Sequence, residues 1–371
     1  MSENSIPTPL DDLHNEWGGK MTGFAGYRLP LSYAGGGFIA EHLHTRQGAS
    51  LFDVSHMGQA RILGDGAARE LFRLTPADIA KIPEGMAKYA LLTNAGGGVL
   101  DDFIVANDGA RGLFAVFNAS RKEEDFAHLR ANLPSSVQME ELAGWGLIAL
   151  QGPRAEAAAA AVVPAVADLG FMNAMWFDFA GVECRAARCG YTGEDGFEFS
   201  LPAEVAADFA RKLAAHPDVK PAGLGARDSL RLEAGLCLYG NELNENITPV
   251  QAGLTWAIPK HRREGGDYPG AQKIAAEIRD KPEMRLVGLI SEGRKVARAG
   301  AELLESADGR IVGKVSSGVF SPSLQKAIAL GFVRADYAAP GTEVFARVRG
   351  EHIAYRTAKP PFVPHQYKKG E

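Results

Sequence analysis

The sequence predicts an α+β protein of two or three domains: antiparallel sheets with flanking helices, followed by a strand-rich C-terminal unit. Three observations predict it. The 371-residue length suits two or three domains and buries enough surface to need no disulfide or metal staple. Glycine turns join strand-like runs at hairpin spacing, which implies antiparallel pairing. After Lys281-Pro282, helical segments give way to closely spaced short strands, the pattern of a small β-barrel or sandwich.

Composition narrows the class further. With 46% apolar and 23% charged residues the chain is ordinary for a globular protein. Forty basic against 45 acidic residues leave a charge of −5, which disfavours general nucleic-acid binding. The longest uncharged stretch, Asn246 to Pro259, is shorter than the about 20 apolar residues of a membrane span. Met1 to Pro9 is polar and lacks a secretory core, so a cytoplasmic location is expected, with no targeting peptide. Three cysteines, Cys184, Cys189 and Cys237, are an odd, sparse set that fits a reducing compartment and small buried side chains rather than a zinc site.

Taken in order, the first 55 residues read as glycine- and aromatic-rich loops around short elements, with a helix over Glu41 to Gln47 and another over Ala68 to Leu74. Lys88 to Asn94 and Val99 to Val105 are strands joined by the turn Ala95 to Gly98, and Gly112 to Asn118 is a third. Arg121 to Leu133 is amphipathic and helical. Leu147 to Gln151 is a buried strand, and Arg154 to Val163 an alanine-rich helix stopped by Pro164. Strands follow at Met175 to Phe179, Cys184 to Arg188 and Gly196 to Phe199, then helices at Ala203 to Ala215 and Gly225 to Glu233. Six short strands lie between Leu286 and Thr357, punctuated by Asp308-Gly309 and Pro340-Gly341.

Phosphate-loop, zinc-protease and nucleophile-elbow motifs are absent, and Gly35 to Gly37 and Gly96 to Gly98 lack the strand–helix context of a dinucleotide site. Four groups of residues remain. On the Val99 strand, alternation puts Asp102 with Leu100 and Ile104, and Asp101 with Val99 and Phe103 on the other face. Carboxylates among apolar neighbours are costly unless paired or functional; spacing alone leaves open a catalytic acid or a tie for the glycine turn. Glu198, between Phe197 and Phe199 after the Gly190 to Gly196 loop, can take two hydrogen bonds from a guanidine-like edge or be a surface glutamate. Arg227 and Arg231 share a helical face, either pairing with nearby acids or, for Arg227, reaching an anionic or carbonyl group. His42 and His44 fall on different helical faces and, with His56, do not match ligand spacing, so no metal is expected.

Thr8-Pro-Leu10, Gly18-Gly-Lys-Met21, His44-Thr-Arg-Gln47, Leu51-Phe-Asp-Val-Ser-His-Met57 and Gly97-Gly-Val-Leu-Asp-Asp102 recur with Leu150-Gln-Gly-Pro153 and Gly190-Tyr-Thr-Gly-Glu-Asp-Gly196. The longest block is Ala226 to Gly240, and Ser321-Pro-Ser-Leu324 and Pro361 to Tyr367 close the set. Together they resemble the T-protein family of the glycine cleavage system, the aminomethyltransferases, over nearly the whole chain. The resemblance implies three domains in a ring around a central folate pocket. It makes 1–55 with 140–240 the first, discontinuous α+β domain, 56–139 with 241–281 the second, and 282–371 a C-terminal β-barrel or jelly roll. It also implies a reaction of glycine catabolism and one-carbon metabolism. The lipoylated H-protein presents an aminomethyl group, tetrahydrofolate as co-substrate takes the carbon to give 5,10-methylenetetrahydrofolate, and ammonia and the dihydrolipoyl H-protein leave. The P- and L-proteins of the system are implied only as indirect partners; nucleotide, nucleic acid and membrane are not.

By family position Asp102 is the catalytic acid, orienting folate and relaying a proton or stabilising a cation. Glu198, Arg227 and Tyr367 match folate-contacting positions, and Tyr89, Tyr191, Met57 and Tyr239 are candidates for the pocket wall, although an ordinary core would also contain such residues. Lys260, Arg262 and Arg263 form a basic run that is either a solvated loop or an electrostatic dock for the H-protein. Two related readings share the architecture. One is a folate-dependent demethylase of a methylated amine or sulfonium compound. The other is a non-catalytic folate-binding iron–sulfur assembly factor, whose K-G-C-F/Y-x-G-Q-E motif is matched by Gly235 to Glu242 only at Cys237, Gly240 and Glu242.

Overall fold

The computed structural model describes residues 5–368 and arranges their strands in three open sheets and one closed barrel. A six-stranded sheet runs in the order Ala174–Phe179, Val182–Ala187, Gly196–Pro202, Trp145–Gln151, Ala49–Asp53, Val219–Pro221. Its pairings are antiparallel except the last, which is parallel. Helices Ala155–Ala160 and Ala203–Ala214 cover one face, burying Leu51, Ile148, Phe197, Phe199, Phe209 and Leu213. A five-stranded antiparallel sheet follows the order Met86–Thr93, Val99–Asn107, Leu113–Phe117, Gly58–Leu63, Gln138–Glu141. Helix Lys122–Asn132 lays Phe126 and Leu129 onto Ile62, Phe103 and Phe117.

The period-2 reading of the Val99–Asn107 strand is what positions the chemistry. Asp101, Phe103 and Val105 turn into the sheet's own core, while Asp102 and Ile104 on the other face are only partly buried. A register shift opposite Leu92 and Thr93 breaks the expected alternation before Asp101, so Val99 packs with Leu91 and Cys237 and Leu100 against the sheet core. Ile104 packs with Ala106, Ala187 and Cys189. Small residues thus let the two sheets approach each other, and Asp102 projects beside that contact.

The strands Met284–Ile290, Lys326–Arg334, Ile311–Ser321, Glu302–Leu304, Glu343–Val348 and Glu351–Ala358 close into an antiparallel barrel around Leu289, Val315, Ala329 and Tyr355. It is fastened to helix Leu224–Glu233 through buried hydrogen bonds between charged helix side chains and barrel serines. Arg231 donates to Glu242 at 2.9 Å and to Ser317 at 2.8 Å, while Glu233 accepts from Ser323 at 2.7 Å and from Ser321.

Four local expectations are corrected. The glycine-rich N-terminal region is not mostly loop: Gly19–Phe24 and Tyr27–Tyr33 form a hairpin that Ile6–Pro7 joins, with Gly26 at φ 81° supplying the turn. Strands Gly58–Leu63 and Gln138–Glu141 and helix Ala271–Asp280 add to the predicted elements. The alanine-rich helix ends at Ala160 and gives way to a tighter turn over Pro164–Asp168. Neither aspartate ties the glycine turn. Asn94 does so, bonding Gly98 N at 3.1 Å and Glu245 O at 2.8 Å, and a Cβ on Gly98 would run into that carbonyl. Of the polar N-terminal segment, residues 1–4 lie outside the described ones.

Candidate functional site

Asp102 sits directly across from Leu91 and diagonally from Tyr89 on the neighbouring strand. The Tyr89 hydroxyl donates to its Oδ2 at 3.0 Å. On the other side, continuing the register of Ile104 with Val116 and Phe103 with Phe117 brings Asn118 opposite Asp102. Asn118 Nδ2 donates to Asp102 Oδ1 at 2.8 Å and to Asp101 Oδ1 at 2.9 Å. Burial, reinforced by the neighbouring Asp101 carboxyl, pushes Asp102 up to about 7, against the pull of the Tyr89 and Asn118 donors. A carboxyl poised there both holds and yields a proton near neutrality. Tyr89 is itself held protonated by burial and by the facing Asp102, which keeps it a donor. Its ring stacks on Trp256 at 5.3 Å, and Trp256 is 63% exposed.

Glu198 lies on the six-stranded sheet between Ala149 and Ala187. Alanine on both sides leaves its carboxylate room. Among the described contacts the Cys189 thiol lies 3.5 Å away. That thiol is pushed far up by burial and by Glu198, so it donates and does not ionise. The Gly190–Gly196 loop is pinned by Gln151, whose Nε2 donates to Cys189 O at 2.9 Å and whose Oε1 accepts from Thr192 at 2.8 Å. A Cβ on Gly190 would occupy the Gln151 amide.

The two arginines of helix Leu224–Glu233 part company. Arg231 is consumed by the barrel seam. Arg227, one turn earlier, lies over the Tyr191 ring at 4.8 Å, and its Nη1 is buried with no hydrogen-bond partner. Its charge is disfavoured by burial and supported by Glu198. An unsatisfied buried charged donor costs about 1–3 kcal/mol or more, and here Glu198 is near enough to support the charge without pairing with it.

The remaining candidates divide into wall and support. The Tyr191 hydroxyl donates to Cys237 O. Tyr239 donates to Val99 O at 3.3 Å and lies under Arg121. Met57 packs against Phe52, Val54 and Ala226 beneath the Arg227 helix. Tyr367 stacks face to face on Phe171 at 4.2 Å, and burial with the nearby Cys189 raises it to about 12. The tail reaches that place because Phe362 N bonds Glu233 O and Gln366 N bonds Gly193 O, each at 2.8 Å.

The basic run is corrected. Arg262 is 2% exposed, sandwiched between Phe72 at 3.6 Å and Tyr268 at 4.7 Å, and donates to Phe72 O at 3.0 Å. It is a core cation and leaves only Lys260 and Arg263 for docking. The histidines do not converge: His42 meets Ser229 and Glu233, His44 meets backbone carbonyls, and His56 packs on Phe24. No acid, histidine and cysteine group with metal-holding geometry occurs among the described residues. The three cysteines are free and buried. Sequence reasoning missed Asn118, Cys189 and Trp256. Their only signals were a strand end, a strand-end cysteine and an apolar residue inside a loop.

Comparison with known proteins places this geometry in context. The chain matches the family models described as "GCVT N-terminal domain" over residues 10–262 and "Glycine cleavage T-protein C-terminal barrel domain" over residues 285–364. It is 44% identical to the mitochondrial aminomethyltransferase of Gallus gallus, covering 97% of this chain and 93% of the relative. Identity to the Homo sapiens protein of that name is 43%, covering 97% and 90%. Among solved structures, the glycine cleavage system aminomethyltransferase T from Bartonella henselae superposes with a TM-score of 0.93 at 40% identity, covering 98% of this chain and 99% of that one.

Proposed function

The chain belongs to the glycine cleavage T-protein family, with the aminomethyltransferase activity of that system, and we propose that the site around Asp102 carries it. Tetrahydrofolate is the co-substrate and the aminomethyl-bearing lipoylated H-protein the partner in this reading. The demethylase and iron–sulfur assembly alternatives find no support in the relatives above.

The observation that carries the proposal is a pair of unspent groups, Arg227 and Glu198, close enough to act on each other electrostatically. Arg227 Nη1 has no acceptor, and Glu198 has no guanidinium or ammonium partner among the described residues, only the Cys189 thiol. A heterocycle with a carbonyl beside an amino-substituted, guanidine-like edge satisfies both at once, and the aminopyrimidinone of a pterin is such a group. Tyr191, already covered by Arg227 on one side, and Tyr367 supply flat aromatic walls.

Bound tetrahydrofolate supplies the amine nitrogens that accept the carbon. The chain's own residues do the rest. Glu198 and Arg227 fix the orientation of the heterocycle. Asp102, held by Asn118 and Tyr89, takes up a proton or shields positive charge at the reacting nitrogen, which its near-neutral titration permits. Sulfur chemistry stays on the partner's lipoyl arm, in keeping with three cysteines that are buried here. Lys260 and Arg263 serve as the residual basic dock. A cytoplasmic location belongs to the same reading; no helix among the described residues is long and apolar enough to cross a membrane.

The test is tetrahydrofolate-dependent ammonia release from aminomethyl-loaded H-protein. Turnover that needs both substrates is expected. Folate binding without turnover would overturn the assignment.

A further inference from the structure

Behind Asp102, on the core side of the same strand, a second pair of acids has no role in the reaction as described. Asp101 is 0% exposed and Asp125, in the first turn of helix Lys122–Asn132, is 1% exposed. Their carboxyls lie in hydrogen-bonding contact. Asp125 Oδ2 has no other partner, whereas both oxygens of Asp101 accept from Asn118, from its N–H at 3.1 Å and its Nδ2 at 2.9 Å. That same Nδ2 holds Asp102 Oδ1 at 2.8 Å. One amide therefore links the reactive carboxyl to a buried acid pair.

Arg121 is the cation that acts on the pair, drawing Asp125 down, but its charge is already engaged elsewhere. Arg121, one helical turn before Asp125, is ion-paired with Glu245 at 3.1 Å and lies over Tyr239. The other groups that face the pair are Glu124, Asp102 and Tyr239, acidic or neutral. Two touching carboxyls in such a place do not both ionise; they keep one proton between them.

We propose that Asp125 is a positioning residue for the transfer reaction: with Asp101 it keeps a shared proton, and through Asn118 this pair fixes the Asp102 carboxyl and the charge beside it. The proposal rests on the assignment of Asp102 above. Burial raises both members of the pair; Asp125 raises Asp101 further, while the hydrogen bond from Asp101 draws Asp125 down, the asymmetry of a pair that shares one proton. Were the pair doubly ionised, Asn118 would face two anions, and Asp102 a full extra charge.

The pair makes a signed forecast that a merely structural role does not. In Asp125→Asn the remaining negative charge is confined to Asp101, which shares Asn118 with Asp102, so Asp102 titrates higher. In Asp101→Asn the charge is confined to Asp125, farther off, so Asp102 titrates lower. Each displacement is expected to be about half to one pH unit for a charge moved by a few ångströms at an intermediate dielectric. Carbon-13 NMR of the full chain labelled at aspartate carboxyls reads this directly, with or without turnover. In the unsubstituted protein one carboxyl of the pair stays protonated at pH 7. Opposite displacements of Asp102 in the two variants support the proposal. Displacements of the same sign, none at all, or a doubly ionised pair at pH 7 overturn it; the last is read without any variant. Should Asp102→Asn retain turnover while the opposite displacements hold, the catalytic reading of Asp102 falls and the coupled pair stands.

Discussion

Replacing Asp102 with asparagine separates its chemical role from its cost to the fold. The substitution keeps the shape, and Asn118 can still donate to the retained oxygen, while the Tyr89 hydroxyl turns to accept from the new amide. What disappears is a carboxyl whose titration is raised from 3.8 to about 7. The sign follows from linkage: below about pH 4 both folded and unfolded chains hold the proton and the group is neutral in effect. Between about 4 and 7 only the unfolded chain gives it up, so stability falls as pH rises, and above about 7 the full penalty is in place. At about 1.4 kcal/mol per unit, the upper limit is about 4 kcal/mol. Partial exposure on the site side lets water screen the charge, so about 2 kcal/mol is expected. Asp102→Asn should thus be more stable than the parent by about 2 kcal/mol at pH 8 and indistinguishable from it near pH 4. Its ammonia release with tetrahydrofolate and aminomethyl H-protein should drop by about 10²–10⁴-fold, the range for a positioned general acid or base. The measurements are denaturant unfolding at two pH values and turnover at saturating substrates. Activity within tenfold of the parent refutes the chemical role, and an equal stability difference at both pH values refutes the electrostatic one.

Three further substitutions probe the rest of the site and the basic run. Arg227→Gln removes an unsatisfied buried donor, so folding stability should hold or rise by about 1 kcal/mol, while KM for tetrahydrofolate rises at least tenfold and kcat changes less; an unchanged KM would sink the binding role. The basic run should split by burial. Arg262→Ala strips Phe72 O and Ala77 O of their donor and is expected to cost about 3 kcal/mol in urea unfolding. Lys260→Glu, on the surface, should leave stability within about 0.5 kcal/mol and raise the apparent KM for H-protein several-fold; if that KM stays put, Lys260 does not dock the partner.

Local physics made much of this protein legible in advance. Strand alternation alone separates Asp101 from Asp102, because neighbouring side chains leave a strand on opposite faces whatever the rest of the fold does. The Ala95 to Gly98 turn, the helix ending at Glu233 and the change of texture after Pro282 are likewise set by nearby residues. Family motifs named the acids and the arginine. Only tertiary structure decided which of them are free to act. Arg227 and Arg231 look alike one turn apart, but Glu242 and Ser317 take up the second and leave the first unpaired. Arg262 reads as a surface charge until Phe72 and Tyr268 close over it. Asn118 carries no motif; it matters because strand register sets it opposite Asp102. Periodicity and turns depend on residues a few positions apart, which a sequence displays. Ion pairing, burial and titration depend on neighbours tens to hundreds of positions away, and those are chosen only when the sheets and the barrel come together.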